Sequence, residues 1–176
     1  MTEGRGRKES FRRAAEHVFF GVGAGIAGTV YGTVVVMAAL TAAYATEKQP
    51  WKLAGIVTGT ALVLWIAHLY AHGLAESIVQ DRRLKWEELR ALLRRELGIL
   101  LAAAAPAAML VLGAIGLLEE TTAVWLALTV GLVTLAAEGV RFARLEGLGP
   151  VGTVAALGAN LALGLLVVAL KVALAH

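Results

Sequence analysis

The sequence of 176 residues contains no cysteine. That absence excludes disulfide-bonded scaffolds, thiolate zinc ribbons and thiol nucleophiles. Charge is also scarce, because Asp, Glu, Lys and Arg make up only 16% of the residues, whereas about a quarter is usual in soluble domains. Apolar residues fill the deficit, at 59% of the chain and a mean hydropathy of +0.74. This composition argues against a soluble domain.

The apolar residues fall into five long blocks, and this arrangement predicts membrane spans. A bilayer core about 30 Å thick needs about 20 apolar residues in a helix. One block, 121–137, is shorter, but its apolar pattern continues past Glu138. The blocks show no alternation of apolar and polar residues, which favours helices over a β-barrel. We therefore predict an all-α integral membrane protein with a single membrane domain, 1–176, and five transmembrane helices at 18–46, 53–75, 97–118, 121–137 and 148–170.

Basic residues cluster at alternate ends of these blocks and predict the orientation. Five lie in segment 1–16, six in segment 81–97 and two just after the fourth block, which leaves three of the 16 for the other side. Because short cytoplasmic loops are enriched in Lys and Arg, we expect the N-terminus in the cytoplasm and the C-terminus outside. Segment 1–16 is then a basic cytoplasmic segment. We expect a multi-pass protein of the bacterial cytoplasmic (inner) membrane.

Segment 81–97, between the second and third blocks, predicts a cytoplasmic amphipathic helix. Trp86, Leu89, Leu93 and Leu97 follow the spacing i, i+3, i+7, i+11, which places them on one helix face. The helix has two alternative placements: on the anionic inner leaflet with Trp86 at the interface, or as a straight extension of the second span. A solvated linker helix with no function of its own is an equal alternative.

The first block carries a row of glycines with steps of four, three and four residues. Such a row forms one groove along a helix face, and small residues let membrane helices approach closely. The groove has two interpretations, close packing within one subunit and a homodimer interface. The predicted helix seam consists of Gly21, Gly25, Gly28 and Gly32.

Ionisable residues inside a span are costly, so each is a functional candidate. His68, His72 and Glu76 follow i, i+4, i+8 in the second block and form one slanting stripe. Imidazole and carboxylate groups can together bind a divalent transition metal or pass protons. The predicted topology places Glu138, of the fourth block, near the same end of the bilayer. The structural alternative pairs Glu138 with Arg141 or another cation and hydrogen-bonds the histidines between helices. The predicted metal-site residues are His72, Glu76, His68 and Glu138.

Other chemistry finds no support in the sequence. The pI of about 9.5 and the net charge of +3 are explained by the topology-setting cations, so we expect no nucleic-acid partner. We find no Ser-His-Asp constellation and no glycine-rich phosphate loop between a strand and a helix. We therefore expect neither an enzyme nor a resident cofactor.

The layout and two local motifs resemble the vacuolar iron transporter family. Residues 21–25, Gly-Val-Gly-Ala-Gly, are similar to the Gly-x-x-Asp-Gly pattern of that family's first span, with Ala24 in place of the aspartate. Residues 72–76, His-Gly-Leu-Ala-Glu, correspond to its Met-x-x-Gly-Glu pattern, with His72 for the methionine and Glu76 matching the glutamate. The short, cation-rich segment 81–97 is more similar to the nodulin-like branch. The resemblance implies a homodimer with an ion route lined by the first span and flanked by the second.

These features lead to one main functional hypothesis and two alternatives. The main hypothesis is a divalent transition-metal transporter that moves iron or manganese out of the cytosol, in exchange for protons, as a homo-oligomer in the lipid bilayer, with a dimer favoured. The first alternative is an oligomeric ion or proton channel that uses the same residues. The second is a structural or partner-binding membrane protein whose polar residues only lock helices together.

Overall fold

The computed structural model describes the backbone of residues 3–80 and 85–174, with side chains for residues 25–78, 85–169 and 173. These residues form helices only, without a β-strand, and each helix contains a stretch long and apolar enough to cross a membrane. The prediction of an all-helical protein with five helices able to span a membrane is confirmed for the described residues. The helices are α1 (Glu3–Thr46), α2 (Pro50–Gln80), α3 (Trp86–Ala114), α4 (Glu120–Leu145) and α5 (Pro150–Leu174).

Proline and glycine set several of these helix ends. Helices α2 and α5 begin at Pro50 and Pro150, where the missing amide hydrogen costs nothing because first-turn amides have no helical acceptor. Gly116 and Gly147 follow α3 and α4 with φ angles of 79° and 64°. After α4, the Leu148 amide donates to the Ala143 carbonyl at 2.9 Å, as in a Schellman motif. The positive φ angles at Gly116 and Gly147 favour glycine, because residues with a Cβ atom rarely adopt them.

The segment predicted as a separate amphipathic helix, 81–97, is organised differently. Residues 81–84 lie outside the described residues, and α3 runs without interruption from Trp86 into the third apolar block. The Lys85 amide donates to the Glu88 carboxylate at 2.8 Å and caps this helix. Residues 86–97 therefore extend the third span, not the second. The sequence did not reveal this continuity because the change from charged to apolar residues near Leu97 resembles a helix boundary.

Helix α1 packs against all four other helices, so the core forms around it. Buried apolar side chains from all five helices meet there, among them Met37, Leu53, Leu110, Leu128 and Val167. A Cβ atom built on Gly131 of α4 would lie 2.6 Å from the Met37 sulfur. The glycine therefore lets α4 pack directly over Met37.

The glycine face of α1 packs against α3 of the same chain. A Cβ atom built on Gly32 would lie 3.0 Å from Ile99 Cα and 3.2 Å from Ala102 Cβ. One built on Gly28 would lie 3.6 Å from the Ile99 side chain. At these two positions the structure supports packing within one subunit. The surroundings of Gly21 lie outside the described side chains, and a homodimer remains a prediction.

Helix α3 contributes its own glycine to this contact. A Cβ atom on Gly98 would lie 2.7 Å from Thr29 Oγ1 and 3.0 Å from the Gly25 carbonyl oxygen. The Thr29 hydroxyl donates to that same carbonyl at 3.0 Å. The backbones of α1 and α3 therefore come into close contact near Gly98, close to the middle of α3.

Candidate cation site between the first three helices

The buried face of α3 carries one carboxylate, Glu96, at the level where α1 and α3 are closest. Glu96 is only 3% exposed and shares its face with Leu92 and Ile99. Its Oε2 atom would lie 3.9 Å from a Cβ atom on Gly28, so the carboxylate lies next to this glycine of α1. A buried carboxylate is expensive unless another group compensates its charge.

The imidazole that faces this carboxylate comes from α2. His72 Nδ1 lies 3.5 Å from Glu96 Oε1, and the His72 side chain is 46% exposed. The same Nδ1 lies 3.1 Å from the His68 carbonyl oxygen. Because a carbonyl oxygen can only accept, this hydrogen bond requires the proton on Nδ1. In the neutral ring, Nε2 is then the basic nitrogen, available to bind a proton or a metal ion.

His68 and Tyr31 extend this polar site toward the middle of the membrane-spanning helices. The His68 ring centroid lies 5.7 Å from that of His72 and 5.2 Å from that of Tyr31. All three rings and Glu96 line a cavity of about 240 Å³. A water molecule occupies about 30 Å³ in the liquid, so the cavity has room for water or for a partly hydrated ion. The remaining lining residues are Ala27, Gly28 and Arg95.

A second, apolar groove lies between α1 and α2 on the far side of Tyr31 and His68. Its volume is about 400 Å³, and its only polar side chain among the described lining residues is Thr60. The ring pair therefore separates a polar cavity from an apolar groove. The other lining residues are Val35, Gly59, Val63, Leu64 and Ala67.

The structure brings two of the four predicted metal-site residues into the cavity and leaves the other two outside it. His68 and His72 lie in the cavity, whereas Glu76 and Glu138 do not line it. Glu76 is exposed. Glu138 Oε2 lies 3.4 Å from Arg141 Nη1, which agrees with the structural alternative for that residue. Among the residues that the structure describes, no three His, Asp or Glu side chains form a group that could hold a metal ion.

Sequence reasoning missed Glu96 and Tyr31 as site residues. Glu96 lies at the edge of an apolar block and was grouped with the charged segment before it. A helical projection contained a usable signal, because Leu92, Glu96, Ile99 and Ala103 share one face that is otherwise apolar. Tyr31 had no signal, since a single tyrosine in an apolar helix is common at membrane depth.

Comparison with known proteins does not assign this chain to a family. The resemblance to the vacuolar iron transporter family therefore remains a prediction from the sequence. No family model matches the chain, and neither the search of curated proteins nor that of solved structures gave a match.

Proposed function

We propose that this protein transports a cation across the membrane, and that Glu96 and His72 form its binding site. The observation that carries the proposal is the buried Glu96 carboxylate, which faces His72 across a cavity within membrane-spanning helices. Ionisable groups within membrane-spanning helices are rare and mark ion or proton routes. A carboxylate favours a cation, and an imidazole nitrogen can bind a metal ion or a proton.

The first candidate cargo is a divalent transition metal, iron or manganese, in exchange for protons. An imidazole nitrogen and carboxylate oxygens suit such ions, and His72 and Glu96 supply one group of each kind. The resemblance to the vacuolar iron transporters supports the same cargo and implies a homodimer. The distribution of basic residues implies that the cavity lies near the cytoplasmic side, because Gly28, His72 and Glu96 are all near ends predicted to be cytoplasmic.

A proton pathway is the second candidate. It is favoured by the small number of ligands, since the described residues bring no group of three metal-binding side chains together. A proton needs only the carboxylate, the imidazole and water in the cavity between them. Transport by this route would require no metal.

The test is transport by the full-length protein in liposomes that enclose a metal-sensitive dye or a pH-sensitive dye. We expect saturable metal uptake with opposite proton movement. Glu96→Gln should reduce it about tenfold or more, a loss typical for groups that support a bound metal. Glu87→Gln is the matched control, because Glu87 is an exposed carboxylate on the same helix and undergoes the same isosteric change.

Each alternative predicts a different result. Proton flux that needs Glu96 but not metal would identify the proton pathway. Absence of both fluxes, with a Glu96→Gln variant that folds but is less stable than the wild-type protein, would identify a structural role. Glu76→Gln belongs in the same series: the sequence predicts that it abolishes transport, whereas the cavity geometry predicts a smaller effect than Glu96→Gln.

A further inference from the structure

A cationic stripe lies at the N-terminal end of the exposed side of α3. Trp86, Arg90, Arg94, Leu97 and Leu101 follow steps of four, four, three and four residues, so they share one helix face. All five are exposed, with Trp86 at 65%, Leu97 at 41% and Leu101 at 68%. The buried residues of α3, such as Leu92 and Ile99, lie on the opposite side.

The length of α3 places these arginines at the membrane surface. Its 29 residues span about 43 Å at 1.5 Å per residue, whereas the hydrocarbon core is about 30 Å thick and each headgroup layer adds about 5–8 Å. If Leu97 and Leu101 contact acyl chains, Arg94 lies about 5 Å and Arg90 about 11 Å beyond Leu97 toward the helix N-terminus. Arg94 is therefore level with lipid phosphates, and Arg90 lies just outside them.

The two arginines have few partners in the protein. The Arg90 guanidinium lies 6.0 Å from the Trp86 ring centroid. Among the described residues, no carboxylate forms an ion pair with Arg90 or Arg94. The nearest acidic residue on that side, Glu87, is exposed. Guanidinium groups bind phosphate through paired hydrogen bonds, and nothing in the described structure competes for those of Arg94.

We infer that this stripe binds the headgroup of an anionic phospholipid, with Arg94 as the main phosphate contact and Arg90 as a secondary one. Leu97 and Leu101 contact the acyl chain of the same lipid. The continuity of α3 is essential to this placement, because it makes one helix face apolar at membrane depth and cationic directly above it. The inference is independent of the transported ion and of the orientation in the membrane.

The test measures binding of phosphatidylglycerol and phosphatidylcholine with identical acyl chains to the full-length protein, by native mass spectrometry from detergent. The wild-type protein should prefer phosphatidylglycerol. A basic residue near an anionic surface contributes about 1 kcal/mol, so Arg94→Gln should reduce the preference about fivefold. Arg90→Gln should reduce it less. Arg94→Lys should retain part of the preference, because it keeps the charge.

Arg144→Gln is the matched control, since Arg144 is an exposed arginine in the last turn of α4 and lies outside the stripe. An equal loss in Arg144→Gln and Arg94→Gln would show a general effect of net charge and overturn the inference. Equal binding of both lipids by the wild-type protein would also overturn it. Complete displacement of phosphatidylglycerol by inorganic phosphate at the same concentration would overturn it as well, because that result would identify a phosphate site instead of a lipid site.

Discussion

The contact between α1 and α3 predicts that Gly98→Ala destabilises the protein, although alanine is the better helix former. The added methyl group would lie 2.7 Å from Thr29 Oγ1, 3.0 Å from the Gly25 carbonyl oxygen and 3.3 Å from the Thr29 amide nitrogen. Two of these atoms are backbone, so the helices themselves must separate. Overpacking of this kind destabilises by about 1–3 kcal/mol. The higher helix propensity of alanine stabilises by about 1 kcal/mol and offsets part of that loss. We expect a net loss of up to about 2 kcal/mol.

Gly55→Ala provides the matched control on α2, because a Cβ atom there would meet nothing within 4 Å. The measurement is the free energy of unfolding by dodecyl sulfate, followed by circular dichroism, for both variants and the wild-type protein. Gly55→Ala should be neutral or slightly stabilising. Thr29→Ala should partly rescue Gly98→Ala, since it removes the nearest atom but leaves the Gly25 carbonyl in place. Equal stability of Gly98→Ala and Gly55→Ala would refute the close approach of α1 and α3.

Three further predictions concern the ends of the helices and the ion pairs. Gly147→Ala should lose about 1 kcal/mol of unfolding free energy, because its φ of 64° is unfavourable for residues with a Cβ atom, whereas Gly149→Ala, in open space, should not. Glu138→Gln should retain transport that Glu96→Gln loses, because Glu138 pairs with Arg141 away from the cavity. The Gln49 amide and then the Lys52 ammonium lower the pKa of Glu47 below its ordinary value of 4.5. A lowered pKa stabilises the fold above about pH 4.5, and this contribution disappears as the pH falls through the lowered pKa. An NMR titration of Glu47 measures that pKa directly, and Glu47→Gln should abolish this part of the acid dependence.

The number and type of the helices could be predicted from the sequence because the membrane imposes one simple requirement. A span needs about 20 apolar residues, and the five blocks satisfy or nearly satisfy it without any knowledge of their neighbours. The spacing of Gly28 and Gly32 likewise predicted a packing face. The identity of the helix on that face could not be predicted, because Gly98 and Ile99 belong to another block and nothing local connects them to α1.

The candidate site was predicted only in part, for a related reason. His68 and His72 lie on one helix face, and that face is fixed by helical geometry alone. Their partner Glu96 depends on the position of α3 relative to α2, which requires tertiary contacts. Glu76 has the same spacing from His72 as His68, but periodicity does not determine which end of a stripe faces a cavity. The same limit applies to Glu138, because its carboxylate forms an ion pair with Arg141 on the same helix and does not reach the cavity.

The ring pair of Tyr31 and His68 creates a dehydration barrier along the furrow between α1 and α2. On one side an ion is surrounded by the Glu96 carboxylate, imidazole groups and space for water. On the other side the described lining offers only the Thr60 hydroxyl, so an ion that passed the rings would lose nearly all its polar contacts at once. Loss of solvation without replacement is prohibitive for an ion. If the protein transports an ion along this furrow, as we propose, transport therefore requires a second conformation in which the rings separate or polar groups reach the groove.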